Sequence, residues 1–380
     1  MKKNLWIAIY LLTVIALYGC SIEVEQPSVA TPLPTITSNP GILPSVEASP
    51  QTNVVTTTQI PVTWGDLKLT GRLVYINGTM TGDAFSLQIQ VLDLVTGEVT
   101  TIFEAPKYSW IYYITVSPDA RQLVMSYSPP PGDQPVDQDL YSMPIDGSQA
   151  PQLLFTPPTK EDDYVEVEWS PDGKYVYFTY VNFQIPPEPG QIYPLYEIYR
   201  MTLPDGEPEK VAEKAYWPRL SPDSSQITYI SVDLFARDNK LFVADADGNH
   251  AHEVVLKGPQ IPDIQDAPIF APDGQSILFS APVPAQAYQP KWFDKLTGVI
   301  VAKAHSNVAS DWWSVPVAGG EIAQLTNIQT AGLFASFAPD GQHLASYSLS
   351  GIFVMKPDGT ELTMLTQNPQ AVPGTVTWIP

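Results

Sequence analysis

One short phrase, Trp169-Ser170-Pro171-Asp172-Gly173-Lys174, recurs down the chain and narrows the folds open to it. Each position has a turn role. Proline presets φ at the first corner of a type I turn, serine and aspartate bond nearby backbone amides, and glycine accepts a positive φ. Apolar, strand-like residues stand on both sides, so the phrase reads as a tight hairpin between two strands. It returns as Ser117-Pro118-Asp119-Ala120, Ser221-Pro222-Asp223-Ser224, Ala271-Pro272-Asp273-Gly274 and Ala338-Pro339-Asp340-Gly341. The successive prolines lie 53, 51, 50 and 67 residues apart.

Each unit continues in one scheme: a strand, a variable connection, a third strand, a second turn and a fourth strand. The second turns are Asp146-Gly147, Asp205-Gly206, Asp247-Gly248, Gly319-Gly320 and Asp358-Gly359. Four strands in roughly 40 to 55 residues is the period of a β-propeller blade. Five units begin at the Pro-Asp turns. A sixth, about 67–106, has three strands and lacks its leading one. Residues 374–380 supply a lone strand, and its Trp378-x-Pro380 echoes Trp169-x-Pro171. The reading is an all-β, six-bladed β-propeller in which this C-terminal strand completes the first blade. Such Velcro closure removes exposed sheet edges. At Ala120 and Ser224, where glycine is usual, the turns are expected to relax to another type.

These Pro-Asp units resemble the TolB-type propeller repeat, over nearly all of 65–380. The repeat also occurs in the propeller of prolyl-oligopeptidase-like peptidases. The resemblance implies a fold and leaves function open. TolB carries an additional N-terminal α/β domain where this sequence has a Pro/Ser/Thr-rich stretch, so a role with the Tol–Pal system is not expected. Nor does the sequence contain the Gly-x-Ser-x-Gly elbow of the peptidases' hydrolase domain.

The N-terminus reads differently. Lys2 and Lys3 precede a mostly apolar run over 5–18, which ends in Leu17-Tyr18-Gly19-Cys20. A basic start and a short apolar core describe a secretory signal, too short to span a bilayer. The ending resembles the bacterial lipobox, which implies removal of 1–19 and diacylation of Cys20. Residues 20–58, rich in Ser, Thr, Pro and Val, then read as a disordered, flexible tether. It would reach about 35 Å as a coil and about 120 Å as polyproline II. The propeller is assigned to 59–380. Cys20 is the one cysteine, so no disulfide framework or cysteine metal site is expected.

Net charge is −21, which speaks against nucleic acid or a bare anionic membrane as partner. It suits an acidic, soluble surface outside the cytoplasm. No cofactor and no metal are expected. Asp245-Ala246-Asp247-Gly248-Asn249 has the opening of a calcium loop without its later ligands, and reads as a hairpin turn. His250 and His252 would share one side of a strand, a weak zinc signal. The run Glu161-Asp162-Asp163 reads as solvated.

Candidate binding residues come from the connections between second and third strands, which emerge on one face. Phe183 and Tyr193 lie in one; Tyr288, Trp292 and Phe293 lie in the longest, which ends beside Trp312 and Trp313. Exposed aromatics offer much contact area for little ordering cost. Within that connection 292–305 has helical spacing. Of the inner-strand residues, Ile114, Val116, Val165, Val167, Phe270 and Ser336 are apolar or hydroxyl-bearing, with Glu166 and Glu168 the exceptions. The favoured reading is therefore a monomeric, non-enzymatic lipoprotein on the extracytoplasmic face of a bacterial cell membrane. It would bind or scaffold a protein, peptide or glycan. The alternatives are a lactonase- or lyase-like enzyme using the central channel, and a purely structural envelope component.

Overall fold

The computed structural model describes residues 55–81, 84–130, 138–183, 195–233, 238–262, 266–282, 309–367 and 374–380. Among them the only helical element is one 3-10 turn, Gly65–Leu67. No helix among the described residues is long and apolar enough to cross a membrane. The rest is β-structure in six antiparallel blades.

From inside outward, blade two is Trp110–Val116, Gln122–Ser128, Asp139–Pro144 and Gln152–Phe155. Blade three is Asp163–Trp169, Val176–Asn182, Leu195–Met201 and Glu209–Glu213. Blade four is Ala215–Leu220, Gln226–Asp233, Asp238–Asp245 and His252–Glu253. Blade five is Asp266–Phe270, Ser276–Pro282, Ser310–Pro316 and Ala323–Gln324. Blade six is Phe334–Phe337, Leu344–Ser348, Gly351–Met355 and Thr363–Gln367. A short parallel pair, Leu256–Lys257 with Gly320–Glu321, laces the outer edges of blades four and five.

Blade one closes the ring. Its inner strand is the C-terminal Val376–Ile379, paired with Arg72–Thr81 in the register Tyr75↔Val376 to Arg72↔Ile379. Ala84–Asp93 and Glu98–Glu104 follow outward. The Trp378 indole donates to the Thr70 carbonyl at 3.0 Å, and Arg72 donates to the Pro380 carbonyl at 3.3 Å. Gly71 makes room for this: its φ is +82°, and a Cβ there would stand 2.4 Å from the Ile379 carbonyl oxygen. The expected closure is present.

Thr56–Gln59 adds a fifth, outermost strand to blade one, pairing with Glu98–Thr101. Composition placed 56–58 in the tether. Three consecutive threonines favour an extended edge strand, and the exposed Glu98–Glu104 edge offers it unpaired backbone groups. Trp64, buried with its indole on the Leu94 carbonyl, fixes this entry segment to the propeller. The expected signal peptide, Cys20 and the remainder of the expected tether lie outside the described residues.

The turns share one geometry. In all five, the fourth residue donates to the carbonyl of the first at 2.8–2.9 Å. Where serine leads, its Oγ donates to the aspartate and accepts from the amide five residues on, as Ser170 does with Asp172 and Tyr175. Contrary to expectation, Ala120 (φ 55°) and Ser224 (φ 60°) keep the left-handed conformation of Gly173, Gly274 and Gly341. The surrounding bonds outweigh about 1–2 kcal/mol of local strain. Apolar side chains fill the spaces between neighbouring blades, among them Val124, Phe178 and Val176 between blades two and three. Trp312, Tyr347 and Leu344 do so between blades five and six.

Candidate functional site

The inner strands of blades two to five do not run straight. In blade three Glu166 and Val167 together oppose one residue, between the pairs Thr179↔Val165 and Tyr177↔Glu168. Blade four has the same fault at Trp217 and Pro218, and blade five at Ala267 and Pro268. Blade two carries it at Tyr112. Glu166, Trp217 and Ala267 all have positive φ, at 55°, 61° and 45°. These are β-bulges, which twist a strand and re-aim its side chains.

The bulges bring a polar and aromatic girdle to the end of the channel where the inner strands begin. The long connections emerge at this same end. Glu166 is buried, and its Oε2 accepts from Thr179 Oγ1 at 2.7 Å and from the Trp217 amide at 2.7 Å. It thereby ties blade three to blade four. Burial pushes its carboxyl up to about 8, against the lowering effect of those two donors. Asp266 opens the inner strand of blade five with only 6% of its surface exposed. Burial pushes its carboxyl up to about 7, and its Oδ1 has no hydrogen-bond partner among the described residues.

Tyr113 and Tyr216 face both acids. Burial, and then the charges of Glu166 and Asp266, raise both phenols well above their ordinary value. Rings from alternate blades meet beside them. Phe334 of blade six lies 5.0 Å from Trp217 of blade four and 6.2 Å from Tyr113 of blade two, centroid to centroid. Tyr216 stands 6.0 Å from Trp217 and 5.8 Å from Tyr196. Toward the Pro-Asp end of the channel, Glu168 pairs with Arg219 at 2.6 Å. Two carboxyls titrating near neutrality, among aromatic faces, can hold a cation or move a proton.

The aromatic platform takes a different form from the one expected. Trp312 is fully buried and Trp313 is 7% exposed; both belong to the core of blade five. Their indoles donate to Ser346 Oγ at 2.8 Å and to the Ala281 carbonyl at 3.2 Å. Successive strand residues face opposite sides, and here both sides pack against neighbouring blades, so neither ring reaches a ligand. Phe183 is 45% exposed. Tyr193, Tyr288, Trp292 and Phe293, and the helical spacing over 292–305, lie outside the described residues.

The acidic run is also different. Asp162 and Asp163 are buried. Asp162 accepts from Tyr180 Oη at 2.8 Å and from the Phe183 amide at 2.9 Å, and Asp163 accepts from the Gln138 amide at 3.0 Å. They anchor connections rather than face solvent. His250 sits at φ 54° in the turn after Asp245, whose carboxylate it meets at 2.6 Å. It therefore does not share a strand face with His252. The 245–249 segment is a turn, as expected, closed by Gly248 on the Asp245 carbonyl at 2.8 Å. Among the described residues no group of three or more His, Cys, Asp or Glu could hold a metal.

Asp266, Tyr113 and Trp217 were missed because strict alternation assigns the channel face to the wrong residues once a bulge intervenes. The sequence does carry a mark: Pro218 and Pro268 stand inside inner strands, where proline signals a bulge. A polar pocket of about 350 Å³ lies on the opposite rim between blades three and four, lined by Asp172, Lys174, Tyr175, Arg200, Asp245 and Asp247. Its cations are engaged locally, Lys174 with Asp172 at 2.8 Å and Arg200 with Glu209 at 3.1 Å and over the Tyr175 ring.

Six blades, Pro-Asp turns and closure by the last strand can be set beside solved structures. TolB from Acinetobacter baumannii superimposes with a TM-score of 0.55 at 17% identity, over 82% of this chain and 67% of that one. A chain reported as a TolB of Agrobacterium tumefaciens gives 0.53 at 17%, over 82% and 99%. The chain has the TolB-type propeller fold. A chain of a nidogen/laminin complex superimposes with a TM-score of 0.55 at 8% identity, over 80% of this chain and 97% of that one. No protein-family model matches the sequence, and no curated protein does.

Proposed function

We propose that this TolB-type propeller is a binding module of the bacterial cell envelope, held on the extracytoplasmic side by lipid at Cys20. Its ligand docks at the end of the channel where the inner strands begin. The observation that carries this reading is the girdle itself: Tyr113, Glu166, Trp217 and Asp266 lie at or beside bulges in the inner strands of four neighbouring blades. Strained backbone of this kind persists where surrounding structure holds it, and it gathers at functional sites. The occurrence of the fold in a nidogen/laminin complex and in TolB agrees with a protein or peptide partner.

The test is capture from envelope extracts by the full chain and by a variant lacking 283–306. Pro282 and Ser310 are cross-strand partners, so three residues remain to close that hairpin and the fold should hold. Capture is expected from the full chain and is expected to be lost on deletion. Unchanged capture removes this end of the channel as the docking site.

One observation favours the enzymatic alternative: carboxyls at about 7 and about 8 lie in the range of general acid–base catalysts. Turnover of lactones or polyuronides by the full chain, abolished in Glu166→Gln, would establish it.

A further inference from the structure

Asp266 is the group in the girdle that keeps a buried oxygen, Oδ1, without a partner among the described residues. Leaving a buried acceptor without a donor costs about 1–3 kcal/mol, and a ligand carrying that donor recovers it. Glu166 differs, since one of its oxygens already serves Thr179 and Trp217. Anionic ligands do not suit the site. Arg219, the guanidinium whose charge reaches Glu166, is held by Glu168. A hard divalent cation wants several carboxylate ligands among its six or more oxygens, and no group of three or more His, Cys, Asp or Glu that could hold one is present among the described residues. What this end of the channel holds is a buried carboxylate oxygen, Asp266 Oδ1, with no partner among the described residues, and the aromatic rings of Tyr113, Trp217 and Phe334. That combination recognises an organic cation.

From this we infer that the long-connection end of the channel binds a primary alkylammonium group, its N–H donors on Asp266 Oδ1 and its methylenes against Tyr113, Trp217 and Phe334. This rests on the reading of that end as a binding site and names its occupant. The same chemistry has two sources, a free aliphatic amine or the lysine side chain of a polypeptide. Binding is linked to protons. The titratable groups around Asp266 and Glu166 are Tyr112 and Tyr113 from blade two, Glu168 and Tyr196 from blade three, and Tyr216 and Arg219 from blade four. Asp266 and Glu166 themselves carry protons near neutrality when the site is empty. A cation favours their ionised form, so binding expels up to about one proton and tightens from pH 6 to pH 8.

The experiment is calorimetric titration of the full chain at pH 7.5, in two buffers of different ionisation enthalpy. The probes are n-butylammonium chloride, N-acetyl-lysine-N-methylamide and calcium chloride. Saturable binding of the amines with proton release is expected, weakened at least tenfold in Asp266→Asn. Equal affinity for both amines assigns the site to free amines. A tenfold preference for the lysyl probe assigns it to a polypeptide lysine. Absence of amine binding, amine binding without proton release, unchanged affinity in Asp266→Asn, or calcium binding that the amines do not displace overturns the inference. Proton release is read on the unmutated chain, so the test survives a variant that fails to fold. If envelope capture persists while both amines fail to bind, the occupant is wrong and the binding module stands.

Discussion

Ala120 and Ser224 show how a repeat tolerates its own departures. Each holds a left-handed φ that glycine would adopt without strain, at about 1–2 kcal/mol. Glycine's greater freedom in the unfolded chain costs about 0.4–1 kcal/mol of that. Ala120→Gly should therefore stabilise the fold by about 0.5–1 kcal/mol, read as a rise in the urea midpoint at unchanged slope. Ser224→Gly should gain less, because Ser224 Oγ accepts from the Asp172 amide at 3.0 Å across to the next blade. Asp266 gives a second residue-scale prediction. Its unfolded carboxyl ionises near 3.8 and its folded one at about 7. Between those values the unfolded chain holds fewer protons, so native stability falls as pH rises, by up to about 1.4 kcal/mol per pH unit. The stability gap between Asp266→Asn and the parent should thus widen from pH 4 to pH 7 and then level off. A constant gap across that range would show that Asp266 is ionised in the native fold.

At the scale of the element, the hairpins and the blade period were legible because each turn residue acts locally. The phrase around Pro171 needs nothing beyond its own neighbours to specify its bonds. The channel face was not legible by alternation. Pro218 and Pro268 mark two of the bulges within their own strands, but the one at Glu166 meets a demand from the next blade, the Trp217 amide on the Glu166 carboxylate, which its own strand does not encode. Trp312 and Trp313 misled for a related reason. A strand covered on both sides looks, in sequence, like one with an aromatic face to offer, and burial decides between them. The closing strand makes a further prediction. Gly71→Ala forces a Cβ onto the Ile379 carbonyl and strains a φ of +82°. It should cost at least about 2 kcal/mol, seen as a lower thermal midpoint, with faster proteolysis near the C-terminal strand.

For the whole molecule, closure is what makes six marginal sheets one body. Hydroxyl and carboxylate groups bridge neighbours around the ring. Thr375 bonds both the amide and the carbonyl of Ile114, Thr115 accepts from the Trp169 amide, and Ser336 accepts from the Trp378 amide. The contact between blade one and its last strand joins positions such as Arg72 and Pro380, 308 residues apart. During synthesis, then, the Arg72–Tyr75 edge waits without its partner until every other described strand has been made. Contacts so distant in sequence form slowly, and an open edge meanwhile invites pairing with a second nascent chain. A cell making this protein must shield that waiting edge, so the toll of a sealed ring falls on biogenesis, before any ligand is met.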